Sequence, residues 1–98
     1  MLFRSQYSIS IYVEGDEEIT LEQVVALADA VAKHNGIASG AGAMGYGVQI
    51  AVEAEDELQA RQKAIELFKS AVIESNLPVW PIVEIESVSE NEALEELE

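Results

Sequence analysis

A ten-residue stretch in the middle of the chain alternates between large apolar side chains and small or polar ones. Apolar residues occupy every second position from Tyr46 to Ala54. Because successive side chains of a β-strand point to opposite faces of its sheet, this period of two predicts a strand with one continuously apolar face. Such a face must be covered. Two amphipathic segments, one on each side in sequence, are the candidates to cover it.

Three more strands are predicted from the same kind of pattern. Residues Tyr7–Glu14 alternate in the same way and match the central strand position by position. The segment Ile37–Met44 is predicted to be a weak edge strand, because its glycines lower the strand propensity. The last strand is Val79–Val88, and we expect it at an edge because Pro81 cannot donate a ladder hydrogen bond.

The first predicted helix has sequence signals at both of its ends. Thr20 followed three residues later by Gln23 forms a capping box. Apolar residues at helical spacing then predict a helix over Leu21–His34. Asn35 and Gly36 supply a left-handed stop.

The second predicted helix repeats this arrangement. Asp56 with Gln59 gives another N-terminal capping signal, and helical spacing continues to about Glu74. The helix ends before Pro78, because a proline disfavours helical geometry in the residue that precedes it.

The predicted element order is therefore βαββαβ. Short right-handed connections favour an α+β fold with a four-stranded antiparallel sheet of order 4-1-3-2 and two helices on one face, which is the ferredoxin-like arrangement. We expect a single domain over residues 1–88, followed by an acidic, flexible tail over residues 89–98.

The βαββαβ order resembles that of the small regulatory ligand-binding domains of the ACT type. In that family the ligand loop follows the first strand and typically carries a proline-glycine pair. The corresponding loop here reads Glu14-Gly15-Asp16-Glu17-Glu18. The resemblance implies, as one alternative, a small-molecule sensor.

Two helices on one face leave the other face of the sheet open. The alternation predicts Tyr12, Ala51, Trp80 and Ile82 on that open face, with carboxylates at one end. Apolar and aromatic patches on an open sheet mark interaction surfaces. We therefore expect a non-catalytic interaction module that docks a protein partner or forms a homodimer through these four residues.

The net charge constrains the choice of partner. Nineteen acidic and five basic residues give a formal charge of -14. This charge repels nucleic-acid backbones and anionic membranes, so we expect no direct nucleic acid partner and no membrane binding. It favours a basic protein partner, and one alternative function is an acidic nucleic-acid mimic that inhibits a DNA-binding protein.

Signals for catalysis and cofactors are weak. The chain has no cysteine and one histidine, His34, so its composition argues against a zinc site. Residues 40–45 spell GxGxxG, but they leave a helix and enter a strand, which is the reverse of a dinucleotide site. We predict no enzyme activity, no cofactor and no metal.

We also expect a cytoplasmic protein. The first residues contain no unbroken apolar run of the kind found in signal peptides or membrane spans. The absence of cysteine is compatible with a reducing compartment.

Overall fold

The computed structural model describes residues 5–40 and 42–89. Its elements in chain order are β1 Ser5–Glu14, α1 Leu21–Ala32, β2 Gly36–Ser39, β3 Gly45–Ala54, α2 Glu57–Glu74 and β4 Ile82–Ser89. The strands form one four-stranded sheet of order β2-β3-β1-β4, and all three strand pairs are antiparallel. This is the predicted order read in reverse, so the α+β fold with this sheet and two helices is confirmed.

The two long central strands supply most of the sheet's share of the core. Ile9 lies opposite Ile50 and Ile11 lies opposite Val48 in the β1–β3 register. All four side chains are buried, together with residues of both helices. Directly paired residues point to the same face, so these pairs define the helix-covered face of the sheet. The predicted covered side is therefore confirmed for these four residues.

Helix α1 begins at the predicted capping box. The Thr20 hydroxyl accepts a 3.2 Å hydrogen bond from the Gln23 backbone amide, and the Gln23 side chain accepts one of 2.9 Å from the Thr20 amide. The helix ends at Ala32, two residues before the predicted end at His34. Asn35 then adopts the left-handed conformation expected for the stop, with φ of 59°.

The glycine-rich segment forms a shorter strand than predicted. β2 ends at Ser39, because Gly40 and Gly42 adopt φ of 135° and 79° and turn the chain toward β3. Two backbone hydrogen bonds, from the Gly42 amide to the Ile19 carbonyl and from the Ile19 amide to the Ala43 carbonyl, tie this turn to the loop after β1. The segment is thus a short edge strand followed by an anchored turn.

The last strand extends one residue beyond the predicted domain boundary at residue 88. Ser89, which we assigned to the acidic tail, is the last residue of β4. The remainder of the predicted tail, residues 90–98, lies outside the described residues. Within the described ranges, neither helix is both long and apolar enough to cross a bilayer.

Candidate functional site

The predicted open-face patch of four residues does not form, because β4 contains an irregularity next to its first residue. Tyr12 pairs with Glu84, but the neighbouring Val13 pairs with Ile82, which leaves Val83 as an extra residue. This extra residue is a β-bulge, and it changes which face the preceding residues point to. Ile82 therefore shares the helix-covered face with Val13. The prediction that Ile82 lies on the open face is wrong.

Trp80 also lies on the helix side of the sheet. Its ring centroid is 5.8 Å from that of Tyr46, whose side chain is only 1 % exposed. A Cβ atom added to Gly15 would overlap the Trp80 ring, so the indole covers the loop that follows β1. The open-face position predicted for Trp80 is likewise corrected. Tyr12 and Ala51 remain on the open face, and the two pairs of residues lie on opposite sides of the sheet.

An apolar cleft surrounds Trp80 on the helix side, between the end of α2 and the start of β4. We call it the Trp80 cleft, and its lining residues are Tyr46, Phe68, Lys69, Val72, Ile73, Val79, Trp80 and Ile82. Its volume is about 200 Å³. Lys69 is the only charged residue among them.

The Trp80 cleft owes its shape to the way the chain leaves α2. Asn76 adopts a left-handed conformation with φ of 58°, and the Asn76 and Leu77 amides donate to the carbonyls of Ile73 and Val72. This is a Schellman motif, which ends a helix and turns the chain sharply. Leu77 is buried by the turn. The chain is thereby directed across the end of the sheet to Trp80.

A single hydrogen bond anchors the loop that forms one wall of the cleft. The Tyr46 hydroxyl donates to the Pro78 carbonyl oxygen at 2.6 Å. Burial of the ring raises the pKa of the Tyr46 hydroxyl above its ordinary value. The hydroxyl is therefore protonated at neutral pH and is occupied by Pro78. It is not available to a ligand as a donor.

Two side chains at the mouth of the cleft are unusually exposed for their size. Val79 is 80 % exposed and Ile73 is 72 % exposed, the largest values for big apolar side chains in the described part of the chain. Both line the Trp80 cleft together with the half-buried Trp80, and these three side chains form its apolar rim. The sequence pattern does not predict this site, because alternation assigns Val79 to a strand and no pattern places Ile73 at a surface. The available signal was the run Val79-Trp80 between two prolines.

The open face of the sheet carries a second depression, which is more open to solvent than the Trp80 cleft. Tyr12 leans across its partner strand, so that a Cβ atom on Gly47 would lie 3.2 Å from the Tyr12 ring. The depression has a volume of about 210 Å³. Its walls include Tyr12, Ile37 and Glu84, and Gly47 is among the residues that line it.

Charge is distributed unevenly between the two faces. The strand register places Glu14, Glu53, Glu84 and Glu86 on the open face. The basic residues in the described ranges are Lys33, Arg61, Lys63 and Lys69, and they belong to the helices or to the cap of α1. The open face is therefore acidic over the part of the chain that the structure describes.

These carboxylates do not gather into a metal site. Glu53 pairs with Gln6, whereas Glu84 pairs with Tyr12 near the other end of β1. In residues 5–40 and 42–89, no three His, Asp or Glu side chains are arranged to hold a metal ion. His34 follows the end of α1 beside Lys33, on a rim also lined by Lys63 and Glu66.

Comparison of the chain with protein-family models, with curated proteins and with solved structures gave no significant match.

Proposed function

We propose that this chain is a non-catalytic protein-interaction module that docks a partner protein at the Trp80 cleft. The observation that carries the proposal is the apolar rim formed by Val79, Ile73 and Trp80. Exposed apolar side chains clustered around a tryptophan are typical of the anchoring centre of a protein interface. The proposed docking site therefore lies on the helix side of the sheet and not on the open face expected from the sequence. The element order and sheet order support a ferredoxin-like assignment within the same proposal.

The size and chemistry of the Trp80 cleft favour a side chain of a protein over a small molecule. Ligand pockets usually enclose roughly 300 to 1,000 Å³ and contain a few converging polar groups. This cleft encloses about 200 Å³. The Tyr46 hydroxyl is already bonded to Pro78, and Lys69 is exposed. One or two apolar side chains of a partner would fill such a space.

The test uses two variants that each place a charge on an exposed apolar position. Val79→Glu alters the rim of the Trp80 cleft, and Leu58→Glu is the matched control on the first turn of α2, where Leu58 is 66 % exposed. The tagged chain is used to isolate partners from the native host, and affinity is then measured with purified partner. We expect at least tenfold weaker binding for Val79→Glu and unchanged binding for Leu58→Glu. Equal affinities of both variants and the wild type would refute the proposal.

A second candidate function is supported by the acidic open face. A surface with carboxylates and no basic side chain in the described ranges can attract a basic, nucleic-acid-binding protein and compete with its normal ligand. This function predicts strong dependence of binding on ionic strength, because exposed charges are screened over about 10 Å at 0.1 M salt. Affinity that stays constant between about 0.05 M and 0.2 M salt would exclude it. A cytoplasmic location remains a prediction.

A further inference from the structure

We propose that the outer edge of β4 binds an extended segment of a basic partner protein, which adds to the sheet as a fifth strand. This inference rests on the proposed function, and it names the chemistry of the partner. β4 is an edge strand of eight residues, hydrogen-bonded only to β1 among the described strands. An exposed edge offers unpaired backbone amides and carbonyls, which a second chain can pair with.

The other edge of the sheet is a poorer acceptor. β2 has four residues and is closed at one end by the turn at Gly40. Very short edge strands are one way in which proteins prevent strand addition. Among the described strands, β4 is therefore the edge that offers the longer row of backbone groups to a partner.

The apolar side chains of β4 are incompletely buried on the helix side. Ile82 and Ile85 point toward the helices but are only partly buried, since the sheet ends beside them. Ser87, further along, is covered by Arg61, which donates a 3.0 Å hydrogen bond to its hydroxyl. An added strand would place apolar side chains beside Ile82 and Ile85. One of them would continue into the adjoining Trp80 cleft.

The opposite side of β4 determines which strands are accepted. Glu84 and Glu86 are exposed on the open face, and Val88 follows them on the same side. A second copy of this chain in most antiparallel registers would set these carboxylates near their own counterparts, and like charges facing each other destabilise a strand pair. A strand with lysine or arginine at alternate positions meets opposite charges instead. The acidic edge thus disfavours a homodimer and selects a basic strand.

The preferred segment is therefore amphipathic, with basic residues that alternate with apolar ones. The basic side chains would face Glu84 and Glu86, and the apolar ones would face Ile82 and Ile85. The bulge at Val83 and the preceding Pro81 limit regular pairing to the part of the strand after them, so a partner residue beside Ile82 would lie just beyond the paired segment. Pairing along Glu84–Ser89 would hold about six residues of a partner, because paired strands advance together by about 3.3 Å per residue.

The test uses a synthetic probe, the seven-residue peptide acetyl-Lys-Val-Lys-Val-Lys-Val-Lys-amide. Trp80 is the only tryptophan of the chain, so its fluorescence reports binding directly. We expect saturable binding, and slower hydrogen exchange of the β4 amides in the complex. The same peptide with glutamate in place of lysine should not bind. The same peptide with its three central amides N-methylated should bind at least tenfold more weakly, because its backbone donors are removed.

Two protein variants with the same net charge test the acidic edge. Glu84→Lys/Glu86→Lys and the control Asp29→Lys/Glu66→Lys each raise the formal net charge from -14 to -10. All four side chains are exposed, so the fold should be retained. We expect at least tenfold weaker peptide binding for the β4 pair and a change within twofold for the control pair. Equal loss in both pairs, or full binding of the N-methylated peptide, would overturn the inference.

Val79→Glu separates this inference from the proposed function. If Val79→Glu abolishes peptide binding while the β4 pair and N-methylation have no effect, the Trp80 cleft binds partners and strand addition is wrong. If the β4 pair and N-methylation weaken binding and Val79→Glu does not, strand addition stands and docking at the Trp80 cleft is wrong.

Discussion

The Tyr46 hydroxyl donates a 2.6 Å hydrogen bond to the Pro78 carbonyl oxygen, which joins the start of β3 to a loop 32 residues further along the chain. The same Tyr46 ring lies 6.0 Å from Phe68 and 5.8 Å from Trp80 between ring centroids. One side chain therefore links the sheet, α2 and the loop before β4. We expect the stability of the Trp80 cleft to depend on this link.

Tyr46→Phe removes the hydroxyl and keeps the ring. We expect a loss of about 1 kcal/mol in the free energy of unfolding, because one net hydrogen bond disappears and the Pro78 carbonyl loses its donor. Urea denaturation followed by far-UV circular dichroism measures the change. Tyr12→Phe is the control, since its hydroxyl has no bonding partner among the described residues. Equal stability of Tyr46→Phe and wild type would contradict the structural role.

Ionisation of the Tyr46 hydroxyl should lower the free energy of unfolding at alkaline pH. Burial raises its pKa in the folded state above the value of about 10 that applies in the unfolded chain. Its contribution to stability is therefore complete below about pH 10 and is lost as pH rises through the folded-state pKa. Wild type should lose stability faster than Tyr46→Phe in urea titrations above about pH 10. Parallel losses in the two proteins would show that Tyr46 does not contribute.

Gly15→Ala should displace Trp80, because the added methyl group would overlap the indole ring. Overpacking of this kind costs about 1 to 3 kcal/mol. The emission of Trp80 should shift to longer wavelength as the ring becomes exposed. The control is Gly42→Ala, where φ is 79° and nothing lies within 4 Å of the new Cβ. It should lose about 1 to 2 kcal/mol through backbone strain with no emission shift.

Thr20→Ala should destabilise α1 by about 1 kcal/mol, since the N-cap hydroxyl no longer accepts the hydrogen bond of the Gln23 amide. For a domain of this size, that corresponds to a fall of roughly 4 to 8 °C in the midpoint of thermal unfolding. Thr20→Ser keeps the hydroxyl and should stay close to wild type. An unchanged midpoint for Thr20→Ala would mean that the capping box is not a net source of stability.

The core of the fold could be predicted because its signals are local and regular. Alternation over β1 and β3 fixed the faces of Ile9 and Ile50 without any knowledge of their neighbours. Capping residues such as Thr20 and Asp56 identified the helix starts for the same reason. At Asp56 only half of the predicted capping box forms. The Asp56 side chain accepts a hydrogen bond from the Gln59 amide, but the Gln59 side chain accepts from the Glu55 amide and not from that of Asp56.

The site could not be predicted because it depends on an interruption of that regularity. A period of two carries no information on a bulge, so the extra residue Val83 reversed the faces assigned to Ile82 and Trp80. The Trp80 cleft further requires the left-handed turn at Asn76, which brings Val79 beside Ile73. These contacts are between residues whose spacing matches neither a helix nor a strand.

The unequal edges of the sheet bear on the stoichiometry of any complex formed through β4. Polymers grow by edge pairing when every subunit offers two acceptors, since each addition then leaves a new one. Here β2 is half the length of β4 and ends in a tight turn. Under the proposed strand addition, each molecule would therefore contribute one long acceptor edge, that of β4. A molecule that pairs through β4 with the edge of a longer sheet would leave only its short β2 edge exposed. Strand addition would therefore stop at that molecule.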